Sequence, residues 1–118
     1  MILRYEAQKK CIVTSFDINH IRNIKEYAQN IRVGYLTSDR GDGVVSELMR
    51  IGADEICPRG RDVTADMADR LHRIGFSVRA WGIVNEDIMR AVYDAGVDGM
   101  TVNFPDKLAE YINIKNEV

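Results

Sequence analysis

The chain has 118 residues, of which 46% are apolar, and carries a formal net charge of −2. That length and composition predict one folded domain over residues 1–118 with a real core, and they exclude a disordered segment. The balanced charge lacks the basic face that nucleic acid requires, and no apolar run nears the ~20 residues of a membrane helix, so neither partner is expected.

Residues 1–10 have neither the apolar core nor the cleavage pattern of a signal peptide. Cys11 and Cys57 are too few for a disulfide framework and lie in apolar, strand-like runs. Buried, reduced thiols in a cytoplasmic protein are the expectation.

Residues 3–9 read as the end of a short helix. CIVTS at 11–15 is β-branched and apolar, which predicts a buried strand. Asp17 is a good N-cap, and Ile18, Ile21, Ile24, Tyr27 and Ala28 recur at helical spacing, predicting a helix to about Ile31. RVGYLT at 32–37 is a second strand, followed by a polar loop, SDRGDG, at 38–43. Val44, Leu48 and Ile51 mark a short helix stopped by Gly52.

EIC at 55–57 predicts a third strand ended by Pro58, and residues 59–63 a charged loop. Thr64 caps a helix carrying Met67, Ala68, Leu71 and Ile74, closed by Gly75. Residues 77–80 form a fourth strand that delivers the only tryptophan, Trp81, to a loop at its C-terminal end. Asn85 caps the next helix, residues 86–95, which carries Ile88, Met89, Val92 and Tyr93 and ends at Gly96. GMTV at 99–102 is the fifth strand, and a last helix runs from about Asp106 to Ile114.

Three helix ends read alike: IGAD at 51–54, IGFS at 74–77 and AGVD at 95–98. This is an internal β/α repeat, and such repeats make parallel strands. Five β/α units fit an open parallel sheet or part of a (β/α)8 barrel, and both gather functional groups on the loops after the strands. An open doubly wound sheet usually brings a glycine-rich phosphate loop after its first strand; Gly41 and Gly43 are a lone pair and follow the second.

Within those loops, Arg59 and Arg61 are the clustered cations. An arginine fork suits a phosphate, but a solvated charged loop is the plainer account of the pair. Asp17, Asp39, Asp42 and Asp62 suggest oxygen ligands for a hard metal, but all stand at helix starts, where aspartate is favoured as a cap. No metal ligand is therefore assigned. His20, in the first turn of a helix, reads as solvated surface. His72, near a helix C-terminus, reads as structural.

CIVTSFD at 11–17, the LT at 36–37, AWGIVN at 80–85 and DGMTVNFPD at 98–106 closely resemble, in order and spacing, the later strands of glycerophosphodiester phosphodiesterases. The resemblance spans essentially the whole chain but only strands four to eight of the family's TIM barrel. It implies five β/α units with parallel strands, a partial barrel, and a family chemistry of phosphoric diester hydrolysis in glycerophosphodiester and lipid metabolism, assisted by Mg or Ca. It also implies that Ser15, Phe16 and Trp81 line the substrate end, with Trp81 a wall for the alcohol moiety; a core aromatic with its N–H satisfied is the competing role. With Arg59 and Arg61 these are the candidate substrate-binding residues.

The family's acid/base histidine stands in a His-Arg-Gly motif, and its metal carboxylates also come from the first three strands. This chain has no HRG triplet, no E-x-D strand and no following HD pair. No catalytic residue and no cofactor is assigned to it, its standing as an enzyme stays open, and it is expected to be inactive alone. The alternative is a non-catalytic phosphate-ligand-binding or oligomeric assembly module.

Five strands leave two bare edges, and an inner face with Val13, Gly34, Ile56, Val78 and Met100 as candidates would be partly uncovered. A homo-oligomer or a complementary half-barrel is the expected partner, beside a small phosphodiester ligand.

Overall fold

The computed structural model describes residues 12–37 and 44–116. In chain order the elements are β1 (Ile12–Ser15), α1 (Ile18–Tyr27), β2 (Arg32–Thr37), α2 (Val45–Ile51), β3 (Glu55–Pro58), a 3-10 turn (Gly60–Asp62), α3 (Ala65–Arg73), β4 (Ser77–Ala80), α4 (Glu86–Asp94), β5 (Gly99–Met100) and α5 (Pro105–Asn116). The strands form one sheet in the order β1-β2-β3-β4-β5, every neighbouring pair parallel. This is the predicted arc of β/α units. The readings of 3–9 as helix and 38–43 as loop, and of Cys11 as strand, lie outside the described residues.

Local signals place the helix starts. The Asp17 carboxylate accepts the Asn19 N–H at 2.9 Å, the Thr64 hydroxyl the Met67 N–H at 3.1 Å, and the Asn85 amide oxygen the Ile88 N–H at 2.8 Å. Each satisfies an N–H that the helix leaves unbonded. The repeat glycines Gly52, Gly75 and Gly96 all have positive φ, so each helix turns out through a left-handed residue into the next strand.

The repeat has a second function in the packing. Asp54 and Asp98 stand at matching positions after their glycines, and each carboxylate reaches sideways to the neighbouring strand. Asp54 Oδ2 accepts the Val33 N–H at 2.9 Å and Asp98 Oδ2 the Val78 N–H at 2.7 Å. A basic side chain from the helix preceding that neighbour completes each pair: Lys25 Nζ lies 3.0 Å from Asp54, and His72 Nε2 lies 2.7 Å from Asp98. Burial pushes the Asp98 carboxyl up, but the Val78 N–H and His72 outweigh it and hold the group below the usual carboxylate range. The structural reading of His72 thus acquires a partner.

The core lies between one face of the sheet and the helices. Ile56 and Val78 pack with Leu48, Met67, Leu71 and Phe76; Val33 with Ile21 and Ile31; Ala80 with Ile83, Met89 and Val92. Val13 and Met100 join the same side. This corrects the expected inner face. Of Val13, Gly34, Ile56, Val78 and Met100, only Gly34 turns away from the helices, towards Thr14, Glu55 and Cys57. Side chains alternate along a strand, so a phase difference of one residue exchanges the two faces completely. The helices pack on the side of Val13, Val33, Ile56 and Val78, and the opposite face carries Thr14, Glu55, Cys57, Ser77 and Arg79.

Element boundaries differ in three further places. α1 stops at Tyr27, not Ile31, and Tyr27 is exposed, whereas Ile31 is buried beside Ile21 and Val33. β5 has only Gly99 and Met100, and Val102 packs beyond it against the cluster with Ala80 and Met89. Ile74, counted among the apolar positions of α3, is exposed.

Candidate functional site

Trp81 stands where β4 ends, and backbone bonds on both sides hold it. Its N–H donates to the Pro58 carbonyl at 3.0 Å, and its own carbonyl accepts the Gly60 N–H at 2.6 Å. The indole then crosses the top of β3, and its Nε1–H donates to the Thr37 carbonyl of β2 at 3.2 Å. The ring is therefore fixed over the C-terminal strand ends, with its N–H satisfied.

Two of the candidate residues gather on that ring. Phe16, from the loop after β1, meets it edge to face with centroids 5.3 Å apart. The Arg59 guanidinium lies 4.8 Å above the ring centroid, within cation–π range. Phe16 is 57% exposed, so this aromatic and cationic surface faces the open end of the sheet.

Ser15 sits beside Phe16 and is tied locally. Its hydroxyl oxygen accepts the Asp17 N–H at 3.0 Å and lies 3.4 Å from His20 Nδ1, whose Nε2 is 3.7 Å from Asp17. His20 is solvent-exposed as read from the sequence, but it belongs to the hydrogen-bonded rim of the same mouth. Arg61 does not join the cluster. Its side chain is exposed, and its Nε lies 4.0 Å from Asp62.

The 3-10 turn explains the difference between the two arginines. Gly60 is buried, and a Cβ there would lie 2.4 Å from Ile83 Cδ1 and 3.1 Å from Ile88 Cγ2. With Gly60 pressed against these side chains and bonded to Trp81, Arg59 is turned onto the indole and Arg61 to solvent. The sequence reading took residues 59–63 as one charged loop and missed Gly60, whose packing partners Ile83 and Ile88 belong to the next β/α unit.

Next to this surface, Gly82, Ile83, Val84, Thr101, Asn103 and Phe104 line an open depression of about 480 Å³ at the ends of β4 and β5. A second depression of about 470 Å³ lies on the helix side, between α1 and α2. Its cations are already engaged: Arg22 and Arg50 with Glu47, Lys25 with Asp54. Arg50, then Arg22, hold the Glu47 carboxyl below its ordinary range.

A divalent ion needs several oxygens that converge and are free to bind it. Among the described residues no three His, Cys, Asp or Glu side chains converge in that way. Asp17 is used as a cap, Asp54 and Asp98 hold strand N–H groups, and Glu55 is bonded within the sheet. These residues do not fit the metal that the resemblance implies; Asp39 and Asp42 lie outside the described residues.

Cys57 is a buried free thiol on the polar face of the sheet. Burial, and the Glu55 carboxylate beside it, push the thiol up to about 12. In a Cys11→Ser background it is expected to react with a thiol reagent at pH 8 about a hundredfold or more slowly folded than in urea. The folded value lies above the ordinary 9.0, so the stabilising contribution is complete below pH 9 and falls as pH rises towards about 12. Urea midpoints across that interval should drop, and drop less in Cys57→Ala.

A one-sided arc of parallel β/α units, with an aromatic and cationic cluster at the C-terminal strand ends, defines a protein of the (β/α)-barrel class. The comparisons with known proteins name the group within that class. The model of the glycerophosphoryl diester phosphodiesterase family matches residues 2–107. A curated glycerophosphodiester phosphodiesterase of Caldanaerobacter subterraneus subsp. tengcongensis is 22% identical over 114 residues, 94% of this chain and 46% of that protein. A Silicibacter pomeroyi structure described as a glycerophosphoryl diester phosphodiesterase superposes with a TM-score of 0.84 at 20% identity, over 95% of this chain and 41% of that one. An Oleispira antarctica phosphodiesterase, solved with the product sn-glycerol-3-phosphate, gives 0.77 at 19% identity, over 86% and 41%.

The chain belongs to the glycerophosphoryl diester phosphodiesterase family. It spans about half the length of the curated relative it matches. Among the described residues no helix is long and apolar enough to cross a membrane.

Proposed function

We propose that this chain is the ligand-holding arc of a glycerophosphodiester phosphodiesterase barrel: it binds a small phosphodiester or its phosphate product and does not hydrolyse the ester alone. The observation that carries this reading is the Phe16–Trp81–Arg59 cluster at the strand ends. The aromatic faces form an apolar wall suited to a glycerol or other alcohol moiety, and Arg59 brings a permanent cation suited to the phosphate. The glycerol phosphate product found in the Oleispira relative is a ligand of that chemistry. In this reading Ser15 is a secondary contact at the rim, and Arg61, turned to solvent, adds only its charge.

Hydrolysis of a phosphodiester calls for acid–base groups and for charge stabilisation at the leaving oxygen, and together these account for most of such a rate enhancement. The motifs that supply them in this family are absent from this sequence, and a complementary segment or chain has to bring them. The same incompleteness favours association, as a homo-oligomer or with a complementary half-barrel. A reduced, buried Cys57 is in keeping with a cytoplasmic setting.

Titration calorimetry with sn-glycerol 3-phosphate tests the binding, and an assay of glycerophosphodiester hydrolysis with Mg2+ or Ca2+ tests the chemistry. Saturable binding without turnover is expected. Turnover by the purified chain that a chelator abolishes would overturn the incomplete-enzyme reading, and absence of binding would overturn the ligand site.

A further inference from the structure

The mouth does not end at Trp81. The loop that leaves the indole runs on through Gly82, Ile83 and Val84, one wall of the open depression of about 480 Å³. Thr101, Asn103 and Phe104, from the loop after β5, form the other wall. Gly82 belongs to both places. It has a φ of +68°, and a Cβ there would lie 3.3 Å from Arg59 Cγ, so the loop crosses beside the arginine that stacks on the indole. The Thr101 N–H donates to the Ala80 carbonyl at 3.0 Å and holds the second wall against the end of β4.

The depression is apolar at its lip. Ile83 is sunk into the cluster with Met89 and Val92, whereas its neighbour Val84 is 74% exposed. Phe104 is half-buried against the same cluster. An isopropyl group left in water beside a hollow gains when another apolar group covers it. The lining is also uncharged. Asn103 and Thr101 are exposed and bring an amide and a hydroxyl, and among the described residues no lining side chain ionises. The acids that open α4, Glu86 and Asp87, pair with Arg90. The charge that borders the depression, through Gly82, is the Arg59 cation.

We propose that this depression is the subsite for the second alcohol of the phosphodiester, and that it selects an uncharged, partly apolar alcohol over a cationic one, with Val84 and Asn103 setting the preference. The order along the loops matches the order of a diester: glycerol at Trp81, phosphate at Arg59, the second alcohol beyond Gly82. The volume falls within the range of about 300–1,000 Å³ usual for small-molecule sites. A quaternary ammonium group entering it would lose hydration, meet no carboxylate and face Arg59. A neutral group of the same shape escapes those costs and covers Val84. The inference rests on the reading of the Phe16–Trp81–Arg59 cluster as the phosphate-ligand site.

Calorimetry with three probes tests it: sn-glycerol 3-phosphate, its choline diester, and its 3,3-dimethylbutyl diester, in which carbon replaces the quaternary nitrogen. The native chain should bind the dimethylbutyl diester about fivefold or more tightly than the choline diester. Val84→Asp and Asn103→Asp, both at exposed positions, should each erase or reverse that preference. The readout is the ratio of the two affinities, which a general loss of phosphate affinity does not move. Equal affinities, a preference for choline, or a ratio unchanged in both variants would overturn the proposal. Binding of sn-glycerol 3-phosphate with no binding of either diester defeats the subsite alone. No binding of any probe defeats the ligand reading and the subsite with it.

Discussion

Replacing Trp81 with alanine is expected to weaken sn-glycerol 3-phosphate binding about tenfold or more, or a loss of roughly 1.4 kcal/mol or greater. The indole joins three parts of the mouth: Phe16 on its edge, Arg59 on its face, and the Thr37 carbonyl at its N–H. Without it the guanidinium loses the surface that orients it, and the apolar wall is gone. Trp81→Phe should keep part of the affinity, since a ring persists while the anchoring hydrogen bond does not. Calorimetry on both variants, with circular dichroism to verify the fold, decides the matter; native-like binding by Trp81→Ala would remove the mouth as the ligand site.

Gly60→Val should lower the unfolding free energy by roughly 1–3 kcal/mol, the usual cost of overpacking. The added carbons would enter space occupied by Ile83 and Ile88, and Ile83 is itself buried. Because Gly60 also donates to the Trp81 carbonyl, displacing it should move Arg59 off the indole. The variant is therefore expected to lose ligand affinity as well as stability, with Gly60→Ala following in the same direction and by less. Urea denaturation checks the first effect and calorimetry the second. An unchanged midpoint would mean that the turn is not close-packed.

The two predictions bear on residues of different legibility. Trp81 was visible in the sequence, as the only tryptophan, placed where an apolar strand run ends. Gly60 was not, because its importance comes from Ile83 and Ile88, which lie on the far side of β4. Arg59 and Arg61 were indistinguishable as neighbours in one charged run; the buried turn between them separates their directions. The strand phase was misread for a related reason. CIVTS, EIC and SVRA place apolar and small residues on both faces, so alternation alone names no inside, and contact with α1 to α4 decides it.

Caps, helix-ending glycines and family motifs act within a few residues of themselves, and for these the amino-acid order was sufficient: Asp17, Thr64 and Asn85 start helices, Gly52, Gly75 and Gly96 end them, and the parallel β/α order follows. The assembled sheet decided what depends on residues distant in the chain. It brought Phe16, Arg59 and Trp81 to one place, bonded Glu55 to Ser77 and Arg79, and laid Arg79 across Gly99. The physical reason is range: a cap is satisfied by its own turn, whereas a face, a stacked ring or an open edge exists only once separate strands lie side by side.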